Sequence, residues 1–172
     1  MRKRTRLAWL TILVLFSITS ALCQEDSAWK NWQWLIGNWT GEGSGAPGQG
    51  SGGFSLQPDL DGKILVRKNH SEYPATKDKP AIIHDDLMIV YRDYPGQPDQ
   101  AIYFDNEGHT IRYGISFSEK SIVLTSTKLQ NQPVFRLSYN AIDPGNIGVK
   151  FEMSRDGENF VVYTEGKCRR VK

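Results

Sequence analysis

Leu35-Ile36-Gly37-Asn38-Trp39-Thr40-Gly41-Glu42-Gly43 sets a tryptophan between glycines at the head of a long series of strand-like segments. Glycine lets neighbouring backbone approach closely, and a tryptophan on a short strand buries a large apolar area. The combination reads as the opening strand of a small closed β-barrel. A barrel of this size encloses either packed side chains or a small ligand, so the run bears on function as well as fold.

Upstream, residues 27–36 (SAWKNWQWLI) form the one helix candidate. Trp29, Trp32 and Leu35/Ile36 fall at helical spacing, Ser27 can cap, and Gly37 stops the helix. Crowded tryptophans there suit a plug over one barrel end, which can also bound a pocket. Further upstream, Arg2, Lys3, Arg4 and Arg6 precede an uncharged stretch, residues 7–22, and the polar Gln24-Glu25-Asp26. That is the order of a secretory signal peptide, and the apolar stretch is shorter than the ~20 residues of a membrane span. We expect a leader over residues 1–23, a single domain over 24–172, and export to the periplasm or medium after cleavage near Cys23-Gln24. Lipid attachment at Cys23 is the less favoured alternative, because Leu22 stands where a small residue is usual.

Loss of the leader changes the charge. The full chain is +2, with 21 basic and 19 acidic residues. Without the four leader cations, 17 basic residues face the same 19 acidic ones, a net of −2. Near-neutrality gives no electrostatic footprint for nucleic acid or for anionic lipid. Cys23 and Cys168 are the only cysteines, so neither an internal disulfide in the mature chain nor a cysteine zinc site is expected.

Downstream, the turn chemistry divides the chain into ten strands: Asn38–Ser44, Gly53–Gln57, Lys63–Glu72, Ile83–Arg92, Gln100–Asp105, His109–Ser118, Ser121–Thr127, Pro133–Asn140, Asn146–Arg155 and Phe160–Arg169. Asp61-Gly62, Asn106-Glu107-Gly108, Asp143-Pro144-Gly145 and Asp156-Gly157 are hairpin signals. Residues 45–53 are glycine-rich but lack the Gly-Lys-Ser/Thr of a phosphate cradle. With no helix-length pattern between strands, the fold class is all-β, an antiparallel up-and-down meander. Closing it into a barrel removes the exposed edges. Alternation supports closure. Ile111, Tyr113, Ile115 and Phe117 share one face, as do Phe135, Leu137 and Tyr139, and Ile147, Val149, Phe151 and Met153.

The helix-then-strand opening and the run at residues 35–43 resemble lipocalin-like barrels of the calycin type, closest to nitrobindin-like haem-binding barrels and related exported bacterial domains. The resemblance implies a ten-stranded barrel with an internal pocket and, in the nitrobindin-like case, haem held by a histidine near the last strands and chemistry on reactive nitrogen species. This chain has His70, His84 and His109 and none later. The last two strands offer Met153 and Tyr163 in place of an imidazole, and we expect no cofactor.

Other constellations are weaker. His84 and Asp86 share a strand face while Asp85 points away, which leaves two ligands for a metal and a bare pair for acid–base chemistry. A small isomerase or hydrolase built on His84 and Asp86 is the enzyme alternative. Arg67 is either an inward anchor for a carboxylate or, more commonly for arginine, a solvated side chain. Arg112 and Arg136 lie opposite apolar faces and are expected outside. Asp105, Glu107 and His109 read as an ordinary turn rather than a calcium loop. Gly43-Ser44-Gly45 and Gly50-Ser51-Gly52 are poor scaffolds for a nucleophile. The sequence therefore predicts a container for a small apolar or amphipathic molecule, with Trp39, Arg67, His84, Tyr103, Tyr113 and Phe151 as its ligand-binding residues and neither a catalytic set nor a metal.

Overall fold

A computed structural model describes residues 27–41, 50–93 and 97–171. The expected leader and most of the glycine-rich loop lie outside these residues. Among them ten strands form: β1 (Gly37–Gly41), β2 (Ser51–Asp59), β3 (Ile64–Tyr73), β4 (Ile82–Tyr91), β5 (Gln100–Asp105), β6 (Thr110–Phe117), β7 (Ser121–Ser126), β8 (Val134–Asp143), β9 (Asn146–Ser154) and β10 (Val161–Val171). Each pairs antiparallel with its chain neighbour, and β1 also pairs with β10, which closes the barrel. Trp39 is the seam residue, opposite Arg170 on one side and Phe54 on the other.

The order and number of strands match the sequence reading, and the bounds move at both ends of several. β2 runs through Pro58 to Asp59, beyond the Gln57 end expected from sequence. Its pairing with β1 stops at Leu56 opposite Gly37, so Pro58 pairs with β3 alone and no partner needs its missing N–H. β8 continues past Asn140 to Asp143 through an irregularity between Ala141 and Asp143. The helix candidate is a 3-10 helix over Ser27–Trp32, not an α-helix through Ile36. The Trp32 carbonyl accepts from both the Leu35 and Ile36 N–H groups as the chain turns into β1. So short a segment gains little from helical hydrogen bonds and is fixed by packing.

The predicted plug forms at the barrel end that carries the β2–β3 turn. Trp32 is fully buried, its indole N–H reaching the Pro98 carbonyl at 3.4 Å and its ring packing edge-on against Phe117. The Trp29 indole donates to the Gly62 carbonyl at 2.7 Å, and Trp39 donates to the Leu35 carbonyl at 2.8 Å. Arg170 fastens the plug to the seam: its guanidinium donates to the Trp34 and Ile36 carbonyls, both at 2.6 Å, and lies 4.3 Å over the Trp39 ring. Gly53 is required at the seam, since a Cβ there would collide with the Trp39 carbonyl.

The core fills the plugged half. Leu56, Leu65, Val90, Ala101, Ile122, Leu124, Tyr139 and Ile147 all face inward and are buried. Arg112 is exposed and Arg136 sits on the outer wall, as expected. Arg136 grips Glu152 with two hydrogen bonds, at 2.8 and 3.0 Å, and stacks on Phe160 at 3.8 Å.

Candidate ligand site inside the barrel

Cross-strand partners share a face, so the register traces the inner wall from the buried core outward. On β3 the inner positions are Leu65, Arg67, Asn69 and Ser71, and on β4 they are His84, Asp86, Met88 and Val90. On β5 and β6 they are Ala101, Tyr103 and Asp105, then Ile111 and Tyr113. All six residues proposed from sequence, Trp39, Arg67, His84, Tyr103, Tyr113 and Phe151, fall on this inner face. They do not fall at one depth. Trp39 belongs to the plugged end, Arg67 and Tyr113 lie deep, and His84, Tyr103 and Phe151 stand nearer the opposite end.

Arg67 is buried, which removes the solvated alternative. It forms an ion pair with Asp86, the two side chains being 8% and 5% exposed. Its guanidinium also lies 4.9 Å from the centre of the Phe54 ring. Burial opposes the Arg67 charge, but Tyr139, Asp86 and Tyr103 more than offset it and the pKa rises. The pair anchors a chain of polar contacts that leads outward. His84 Nε2 is 3.5 Å from Asp86 and 3.1 Å from the Tyr103 hydroxyl, and His84 Nδ1 is 3.0 Å from Glu107. The Tyr103 hydroxyl donates to Asp105 at 3.3 Å.

Asp105 closes the chain and the β5–β6 turn together. It accepts from the Glu107 and His109 N–H groups at 3.0 and 2.9 Å and contacts the His109 ring at 2.9 Å. Burial works against its charge, but these bonds prevail and hold its pKa below the ordinary carboxylate value. Asp105, Glu107 and His109 thus build a turn, with Gly108 at φ 91°. Among the described residues no group of three or more His, Cys, Asp or Glu is placed to hold a metal.

Tyr139 is the deep residue that sequence reasoning missed. Its alternation with Phe135 and Leu137 marked it as core, which it is, yet its hydroxyl is fully buried without a hydrogen-bond partner. Burial pushes its pKa up to about 12, and it pushes those of Tyr103 and Tyr113 up as well. Among the described residues, Arg67 Nε is the second buried side-chain polar atom without a partner. Phe54 joins the two residues, its ring 5.7 Å from that of Tyr139.

Beyond this depth the inner wall loosens. Asn69, Ser71, His84, Tyr103, Ile111, Phe135, Val149 and Phe151 are only partly buried although they face inward. Gly166, opposite Val149 on β10, also belongs to the inner face, and a Cβ built on it would meet nothing within 4 Å. The neighbouring inner residues of β10 are Thr164 and Cys168. Phe135 and Phe151 stack at 5.7 Å and Tyr163 meets Phe151 edge-on, so aromatic rings border the open half. A depression of about 410 Å³ spans β3 to β5, lined by the outward Lys68, Leu87 and Phe104 and also by Asn69, Asp86 and Asp105.

No protein-family model matches the chain. No curated protein matches it either. Among solved structures it is similar to the crystal structure of Rv2717c from M. tuberculosis, with a TM-score of 0.56, 13% identity, and coverage of 84% of this chain and 98% of that one. At that identity the likeness is one of fold: this chain is a ten-stranded, antiparallel, closed β-barrel.

Proposed function

We propose that this protein is an exported binding barrel that holds a small apolar or amphipathic molecule in the unplugged half of its interior. The observation that carries the reading is the inner wall itself. Side chains that point inward at Tyr103, Ile111, Phe135, Val149 and Phe151 stay partly accessible, and Gly166 faces open space. A wall that is mostly apolar with a few convergent polar groups is the usual make-up of a small-molecule site. Phe135, Phe151, Ile111 and Val149 supply apolar contact, and Arg67, His84 and Tyr103 supply orientation. Asp86 is committed to Arg67 and both His84 nitrogens already have polar contacts, which favours binding over acid–base catalysis by His84 and Asp86.

A nitrobindin-like haem protein is the second reading, and the inward-facing His84 supports it because it is the one imidazole on the inner wall. Native mass spectrometry of the protein expressed with its leader separates these readings. A chain beginning at Gln24 with a bound small organic molecule is the result expected. A Soret band retained after gel filtration with haem, and lost in His84→Ala, would replace the first reading with the second. A bare chain that takes up neither haem nor an apolar probe would overturn both.

A further inference from the structure

We propose that the innermost part of this site receives an uncharged oxygen acceptor, a carbonyl, ester or hydroxyl group of an amphipathic ligand, between Arg67 and Tyr139. The inference rests on the container reading above and specifies its head-group chemistry. Two observations independent of the wall's accessibility support it. Arg67 Nε and the Tyr139 hydroxyl are the buried side-chain polar atoms left without partners among the described residues. Their residues are 7% and 0% exposed and both pack against Phe54. Arg67 Nε can only donate, and a neutral tyrosine hydroxyl donates as well. Two buried donors with nothing to donate to incur a desolvation penalty that one oxygen atom, held between them, removes.

The charge balance selects the class of oxygen. A lone buried arginine calls for a carboxylate, and bidentate capture of fatty carboxylates is the obvious use of one. Here the guanidinium charge is already neutralised by Asp86, and Asp105, directly opposite Asp86 on β5, adds a second anion on the same inner wall. A carboxylate head would bring a further negative charge beside Asp86, which already neutralises the adjacent Arg67, while Arg170, the other cation at an inner register position, is held at the plug by the Trp34 and Ile36 carbonyls, so the charge costs more than it returns. A neutral carbonyl or hydroxyl satisfies both donors with no such cost. The route for the apolar tail is present: Tyr139 pairs with Val149, and Val149 pairs with Gly166, where the wall is open.

The test is a matched series with one alkyl chain: the methyl ester, the carboxylate and the plain alkane of equal length, each competing against a neutral naphthylamine probe on the full-length protein. The ester is expected to bind best, and Tyr139→Phe, which keeps the ring, should weaken it by about fivefold while leaving the alkane unchanged. Arg67→Lys, which keeps the charge for Asp86 but lacks Nε, should act in the same direction. A carboxylate that binds as tightly as the ester overturns the neutral-acceptor assignment. So does equal binding of ester and alkane, which would mean that water alone satisfies the two donors. Tyr139→Phe weakening ester and alkane alike would show a packing role and also overturn it. In each of these cases the container reading survives, because ligands still bind. If the probe binds but no member of the series displaces it, the head-group assignment alone fails; if the probe itself does not bind saturably, the container reading fails and the head-group assignment with it.

Discussion

Arg67 and Asp86 form an ion pair inside the barrel, on adjacent strands, with less than a tenth of either side chain exposed. Desolvating two charges costs about as much as their attraction returns, so such a pair adds little net stability, yet breaking it leaves one charge stranded. Arg67→Met is therefore expected to destabilise the protein by about 3–5 kcal/mol in urea unfolding, and adding Asp86→Leu to it should recover most of that loss. A single Arg67→Met variant as stable as the parent would show that the pair is not buried in solution.

Arg170 links the last strand to the plug through two carbonyls and the Trp39 ring. Arg170→Met should cost about 2–4 kcal/mol, from two charge-assisted hydrogen bonds and a cation–π contact. Hydrogen exchange should locate the loss: amides of residues 32–39 exchange faster while β6 to β8 stay protected. Uniform acceleration over the whole barrel would contradict a local clamp.

The buried tyrosines set the alkaline limit. Tyr139 ionises near pH 10 when unfolded, and burial raises its folded value to about 12. The folded state therefore holds its proton longer than the unfolded chain does. The stability this confers is complete below about pH 10 and is lost as pH rises toward 12, about 3 kcal/mol for this residue. Tyr103 and Tyr113 shift in the same direction. Absorbance at the tyrosinate band should accordingly rise in two stages, exposed rings first and buried rings only with unfolding. Full ionisation of all tyrosines near pH 10 in a folded protein would refute the buried hydroxyl at Tyr139.

His70 lies on the outer wall between Glu72 and Asp85, with ring contacts at 3.0 and 2.6 Å. Hydrogen bonds to Glu72 and Asp85 raise its pKa above the ordinary 6.5. Any stability it lends is present in acid and fades as pH climbs through that raised value. Proton NMR should record a midpoint above 6.5 that falls in Glu72→Gln and Asp85→Asn. A midpoint at or below 6.5 in the parent would remove the contacts.

Much of the fold was legible in the sequence, and the reason is visible in β6, β8 and β9. Those strands put apolar residues on their inner positions and, apart from Val134 and Ile142 at the ends of β8, polar or small ones opposite, so a period of two identifies both strand and face. β3 breaks that rule. Its inner residues change from Leu65 to Arg67, Asn69 and Ser71 as the wall passes from packed core to open half, while outward Ile64 and Val66 are apolar. No count along the strand decides which face is buried. The pairing with β4, which brings Asp86 beside Asn69 and Met88 beside Arg67, settles it. Tyr139 was legible as core but not as an unpartnered donor, since that depends on what surrounds its hydroxyl in three dimensions. Pro58 misled for a related reason: β1 is short, and only the sheet shows that nothing pairs with that side of β2 beyond Leu56.

The central claim is that the unplugged half of the barrel is a container, and the most direct measurement uses the empty place beside Gly166. Titration of the protein with the neutral fluorophore N-phenyl-1-naphthylamine, before and after Gly166→Leu, reports occupancy of that space. The inner position is open, so leucine should fit without loss of thermal stability. The parent should bind the probe saturably with a blue-shifted emission, and Gly166→Leu should weaken it by about tenfold or more, because the new side chain takes the ligand's place. Equal binding by parent and variant, or no saturable binding by either, would contradict the account.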